Sequence, residues 1–324
     1  MSAIPARIVH LQRSYPVAQV FALVVLYLYG AATITGFAET SSIKSMLVLA
    51  ALLGLAAAGQ TLVVILGGLD FSIPGFIVMG AILVSELCGK HGWGLLPALV
   101  LILVLAIVLG GLEGWLCHRY RINPLVLTLG FGSIAVGGVL AWTQSRLTGA
   151  APEEIGTLVR VNSSTFGFDV PPIVVIWAVF AIVMAIFLHR TRNGRGLFLT
   201  GANVRAADLA HIQTRKVWTV AFAFSAAMAA LVGVLLAGFS GAGQGIGDTY
   251  LFQGLTAVIV GGTTFMGARG DYSHTVVGAL LLTVLTTIFV GRDLDSADQQ
   301  IIFGILILIV VAGYGRERAL SSRV

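Results

Sequence analysis

The chain has 324 residues, of which 57% are hydrophobic and only 10% charged, with a mean hydropathy of +0.97. That composition excludes an ordinary water-soluble globular domain and places the protein in a bilayer. The formal net charge of +5 marks topology rather than nucleic-acid binding, which needs basic residues gathered on one folded face beside a stacking platform.

A membrane crossing takes about 20 mainly apolar residues. Such runs fall at residues 17–35, 46–67, 73–89, 94–116, 124–142, 171–189, 217–239, 251–266, 275–290 and 300–314. They predict an all-α integral membrane fold of about ten transmembrane helices forming one transmembrane domain over residues 1–324. The last three runs are short, so broken or re-entrant segments are expected there. The first run exceeds a signal-peptide core and is expected to stay in the mature chain. Cys88 and Cys117 stand at opposite ends of the hairpin of spans three and four, too far apart for a disulfide, and read as small buried residues.

Lys and Arg residues set the sidedness. Arg7 and Arg13 precede span one, Arg119 and Arg121 follow span four, Arg190, Arg192, Arg195, Arg205, Arg215 and Lys216 follow span six, and Arg316, Arg318 and Arg323 end the chain. With ten spans all of these fall on one side, which predicts cytoplasmic N- and C-termini in a multi-pass protein of a bacterial cytoplasmic (inner) membrane. The opposite connectors, 143–170 and 291–299, hold most of the loop carboxylates.

Residues 63–84 echo residues 257–282: each has an apolar run, a Gly pair (Gly67 and Gly68; Gly261 and Gly262), a polar interruption, and then Gly-Ala. Gly-broken segments at matching places point toward a transport pathway, while the plainer reading is close helix packing. The stretch "GAGQGIGD" at 241–248 lacks the spacing and preceding strand of a phosphate loop and reads as an outer turn or pathway loop. There is no Walker A motif, no nucleophile elbow and no Cys/His cluster, so no cofactor is expected on this chain.

The loop 190–216 is the longest stretch compatible with water. Asn203 is placed to cap a short helix running from Val204 to about Ile212, with Asp208 early enough to suit the helix dipole. At 100° per residue, Ala206, Ala207 and Ala210 gather on one small-residue face, flanked by Arg205, Arg215 and Lys216. A positive-inside loop explains the charge alone; a capped small-residue helix points to docking of another chain.

Three carboxylates lie in or beside the spans. Asp70 either orders the loop beside a pathway or, the favoured reading, caps span three through an Asp-x-Ser turn. Glu86 and Glu113 sit near the two membrane boundaries, where each can snorkel to the interface. With no carboxylate at mid-bilayer, a proton-driven carrier is disfavoured.

Four motifs in order, "GQTLVVILGGLDFSIPGFIVMGAILVSEL", "INPLVLTLGFGSIAVGGVL", "GRGLFLTGANVRAADLAHI" and "LTAVIVGGTTFMGARG", resemble the permease subunit of bacterial ABC importers for ribose, xylose and related monosaccharides. The resemblance covers residues 43–314. It implies a second permease chain, identical or different, two ABC ATPase subunits that hold the ATP and Mg, and a periplasmic or lipoprotein sugar-binding protein. It also implies that Asn203, Arg205, Ala206, Ala207, Asp208, Leu209, Ala210, His211 and Ile212 form the helix that couples to the ATPase. The sequence departs from the family at His211, where Gly is usual, and at Pro74, where a small aliphatic residue is usual and where a bend in span three is expected.

A neutral polyol shedding its water needs uncharged hydrogen-bonding groups and aromatic walls. Gln60, Thr61, Asp70, Ser72, Thr128 and Ser133 in the first half are candidates for that pathway. Gln244, Gln253 and Thr256, with Phe131 and Phe252 as walls, complete the set. For any one of them, helix–helix hydrogen bonding is the more frequent explanation. The expected function is transport of a monosaccharide or polyol by a non-enzymatic subunit; another small solute, such as a branched-chain amino acid or nucleoside, is the first alternative and a gradient-driven carrier the second.

Overall fold

A computed structural model describes residues 16–264 and 267–321, with side chains to residue 309. Arg7, Arg13 and Arg323, like Phe265 and Met266 of the second echo, lie outside the described residues, as do the side chains of Arg316 and Arg318. Among the described residues the chain is helical apart from one isolated bridge between Thr165 and Phe168. The helices are α1 (Val17–Thr33), α2 (Thr40–Ile65), α3 (Ile73–Val84), α4 (Leu95–Tyr120), α5 (Pro124–Thr143), α6 (Glu153–Val159) and α7 (Pro172–Arg190). They continue with α8 (Arg192–Ala202), α9 (Val204–Leu209), α10 (Thr214–Ser240), α11 (Asp248–Gly261), α12 (Tyr272–Val290) and α13 (Ser296–Ser321).

Every apolar run read from the sequence falls in a helix. Seven are long and apolar enough to cross a membrane: α2, α3 with its extension to Lys90, α4, α5, α7, α10 and α12. α1 has 17 residues and α11 has 14, and the apolar part of α13 covers Ser296–Ile309. A helix that is apolar all round belongs inside a core or against lipid, and this chain uses both places. α2, α3 and α10 are sheathed by other helices, whereas α4, α5 and α7 turn Val108, Ile134, Ile182 and similar residues outward.

Small residues set how closely the inner helices approach. A Cβ on Gly80 would stand 2.1 Å from the Ala230 carbonyl oxygen, and one on Gly233 would stand 2.0 Å from that of Ile77. α3 and α10 therefore meet backbone to backbone, a contact that forfeits little dispersion in an environment without a hydrophobic drive between helices.

Pro74 is the second residue of α3. There the missing N–H has no intrahelical partner to lose, so Pro74 sits in the first turn of α3 without breaking a helical hydrogen bond. The irregularity lies at the other end, where Ser85–Lys90 widens into a π-helical turn. Glu86, in that turn, does not snorkel. It is buried, its Oε1 accepts from the amides of Thr148 (2.7 Å) and Gly149 (2.8 Å), and its Oε2 stands 3.2 Å from Lys90 Nζ. Burying the Glu86 carboxylate requires donors, and these two amides with Lys90 supply them, pinning the connector after α5 onto the end of α3.

The internal echo is structural, with its register one residue from the Gly-pair alignment. Gly67 donates to Val64 and Gly68 to Val63; Gly262 donates to Ile259 and Thr263 to Val258. Gly67 thus matches Gly262, and both carry positive φ, 80° and 111°, at the end of the helix. Each break then closes with an Asp-aromatic-Ser turn. Asp70 Oδ1 accepts the Ser72 amide at 2.9 Å, and Asp271 Oδ1 accepts the Ser273 amide at 3.1 Å.

Candidate coupling segment and polar interior

α8 starts where Thr191 Oγ1 accepts the Gly194 amide at 3.0 Å, and it ends at Asn203, whose Oδ1 accepts the Ala206 amide at 3.1 Å and so opens α9. The cap stands as the sequence predicts, but α9 stops at Leu209, three residues short of Ile212. Its end is a Schellman closure: His211 donates to Asp208 and Ile212 to Ala207, each at 3.0 Å, with His211 at φ 59°. That geometry gives a physical reason for the Gly expected at position 211, since a Cβ is disfavoured in the left-handed region.

The three alanines do not share one open face. Ala207 is 2% exposed and packs inward, while Ala206 and Ala210 are exposed together with Asn203, Arg205, Asp208 and His211. Leu209, an apolar side chain that is 84% exposed, forms the outer tip. Asp208 is next to last in α9 rather than early in it. Its charge is answered by a hydroxyl instead of the helix dipole, because Thr214 Oγ1 donates to Asp208 Oδ1 at 2.6 Å. His118 Nε2, at the end of α4, lies 2.9 Å from the same Thr214 Oγ1. These three residues line an open cleft of about 1050 Å³ between residues 117–124 and 204–218, edged by Arg119, Arg121, Arg205, Arg215 and Lys216.

Beneath the cleft lies a buried polar cluster. Ser72 Oγ contacts Asp70 Oδ1 and, at 3.3 Å, Glu113 Oε2 on α4. The Phe71 amide donates to Thr128 Oγ1 on α5 at 3.0 Å. Ser225 Oγ on α10 lies beside the Asp70 carboxyl without closing a hydrogen bond of ordinary length. Glu113 is fully buried, so the expectation that it reaches the interface is wrong. Gly114 explains the difference: a Cβ there would stand 2.5 Å from the Trp218 carbonyl oxygen, so α10 covers this face of α4. A lone carboxylate in an otherwise apolar 26-residue helix was the available signal.

Of the pathway candidates, Asp70, Ser72 and Thr128 meet in this cluster. Gln60 is buried nearby in sequence with neither amide atom paired. Thr61 pairs with Thr275 at 2.9 Å, Gln253 donates to Thr286 at 3.4 Å, and Thr256 bonds back to Phe252 within α11. These are helix–helix and helix-internal contacts. Phe131 is buried, whereas Ser133, Gln244 and Phe252 are exposed on the described chain. The 241–247 segment is exposed at Gly241, Gln244 and Gly245 and meets the helices at Gly247, where a Cβ would stand 2.4 Å from the Pro74 carbonyl oxygen. Cys88 and Cys117 are both free.

A helical membrane body with a capped helix standing on an open basic cleft fits a transport permease. The chain belongs to the family described as branched-chain amino acid transport system / permease component, which matches residues 42–311. It is 28% identical to the ribose import permease protein RbsC of Bacillus subtilis over 85% of each chain. It is 26% identical to the fructose import permease protein FrcC of Rhizobium meliloti over 94% of this chain and 86% of that one. It is 30% identical to the autoinducer 2 import system permease protein LsrD of Klebsiella pneumoniae over 81% of this chain and 79% of that one. No solved structure matches.

Proposed function

We propose that this permease is the membrane half of an ATP-driven importer for a monosaccharide or related polyol, handed over by a binding protein outside the membrane. Ten crossings put both termini, the cleft and α9 on the cytoplasmic side. There a pair of ATPase subunits, which carry ATP and Mg, seats α9 and moves it as nucleotide is bound and hydrolysed. A second permease chain completes the pathway, and the two bodies alternate between outward and inward access largely as rigid units.

The observation that carries this reading is α9 itself, a helix capped at both ends and presenting one exposed leucine at its tip. Among the described residues nothing covers that leucine, and a partner that buries such a side chain gains about 2 kcal/mol. Ala207→Glu, the obvious variant from the sequence, is unsuitable because Ala207 packs inward. Leu209→Glu is the sound test. Membrane insertion should persist while co-purification of the ATPase and solute uptake are lost; unchanged uptake overturns the docking role.

Ribose and fructose in the names of two relatives support a sugar, and the family's description supports a branched-chain amino acid as the second reading. Competition of labelled ribose or fructose uptake against leucine separates them. Asp70 and Glu113 are buried within the helical body, and membership of the permease family is what weighs most against a lone carrier. Gradient-driven uptake by the purified chain without an ATPase would restore that third reading.

A further inference from the structure

α9 is held from both of its ends. On its N-terminal side α8 packs on α7, α10 and α2, with Gly201 seated so tightly that a Cβ there would lie 2.0 Å from the Ile65 carbonyl oxygen. On the other side only residues 210–213 lead into α10, and a four-residue connector of this kind transmits little displacement unless something braces it. The brace is Thr214, which is buried at the first position of α10 and touches both Asp208 on α9 and His118 on α4.

The direction of these bonds follows from their chemistry. The carboxylate of Asp208 only accepts, so the single Thr214 hydroxyl proton goes to it, and His118 must donate from Nε2 to Thr214 Oγ1. The result is an ordered chain from His118 through Thr214 to Asp208 that crosses three helices. α4 and α10 are already locked together at Gly114 and Trp218, and the Trp218 ring packs on His118 with ring centroids 6.5 Å apart. We infer that His118 and Thr214 are positioning residues that join α9 to the α4–α10 pair, so that a movement of α9 reaches the helix carrying Glu113 and, through Ser72, the broken turn at Asp70.

This inference rests on the proposed ATPase docking of α9, and the test keeps the two apart. The complete importer, reconstituted with its ATPase and binding protein, is assayed for solute transported per ATP hydrolysed. Thr214→Val and, independently, His118→Phe, which lies off the docking helix, should each lower that ratio by about tenfold while the ATPase still co-purifies and still hydrolyses ATP. Thr214→Ser and His118→Gln, which keep a donor at each position, should restore it. The double variant Thr214→Val with His118→Phe should fall no further than either single change, as two members of one hydrogen-bond chain do. Wild-type ratios in both single variants, or an additive double variant, overturn the inference. If Thr214→Val does not assemble, a wild-type ratio in His118→Phe alone overturns it. Failure of the unmodified chain to bind the ATPase through α9 would instead sink the docking reading.

Discussion

The Ala268 amide donates to the Ile65 carbonyl across 2.8 Å, tying the two broken helix turns of the internal echo to one another. Gly201, just ahead of α9, lies against both: a Cβ would stand 2.0 Å from Ile65 O and 3.1 Å from Ala268 N. The segment that leads to the docking helix is therefore built into the junction of the two echoes.

Gly201→Ala should be costly for that reason. Backbone atoms on both sides leave the added methyl nowhere to move, and overpacking of this kind destabilises by roughly 1–3 kcal/mol. Thermal unfolding in detergent measures it; a variant melting with the parent would show that the junction opens freely.

His211→Gly should act in the opposite direction. At φ 59° the histidine holds a left-handed conformation that glycine adopts without the Cβ penalty of about 1 kcal/mol. Amide exchange at Ala210, His211 and Ile212 should slow in the variant. Faster exchange would mean that the histidine side chain itself stabilises the closure.

Acid should weaken the second Asp-aromatic-Ser turn. Burial alone would raise the Asp271 pKa, but hydrogen bonds from His189 and from the Ser273 amide and hydroxyl prevail and hold it below the usual carboxylate value. A carboxylate with a depressed folded pKa contributes stability that is present above its unfolded value, about 3.9, and is lost as pH falls through the lower folded value. The melting temperature of the parent should fall on that acid limb, and Asp271→Asn should flatten this part of the profile. Parallel profiles for the two proteins would exclude the contribution.

The helices were legible because apolar runs have to be long, and the Asn203 cap was legible because its partner lies three residues away. Those are local rules. What escaped depended on neighbours distant in sequence. Glu113 looked like a surface carboxylate until Trp218 of α10 was seen to cover its face of α4, and Asp208 looked like an N-terminal charge because the helix was drawn too long. The inward turn of Ala207 likewise depends on where α9 lies against the rest of the chain. The echo was visible in composition, but its register was hidden, since a Gly pair can be aligned two ways and only the hydrogen bonds of the helix ends decide. The repeated Asp-Phe-Ser and Asp-Tyr-Ser triplets were the overlooked signal.

Those triplets differ in their access to water: the Asp70 side chain is sealed, while Asp271 keeps 20% exposure beside His189. The aromatic residue of the second triplet also took on a new task, for the Tyr272 hydroxyl donates to the Gly54 carbonyl and accepts from the Trp177 indole. One hinge in this protein thus answers to the aqueous phase and is stapled by a phenol, while its twin can be reached only by rearranging the helices around it.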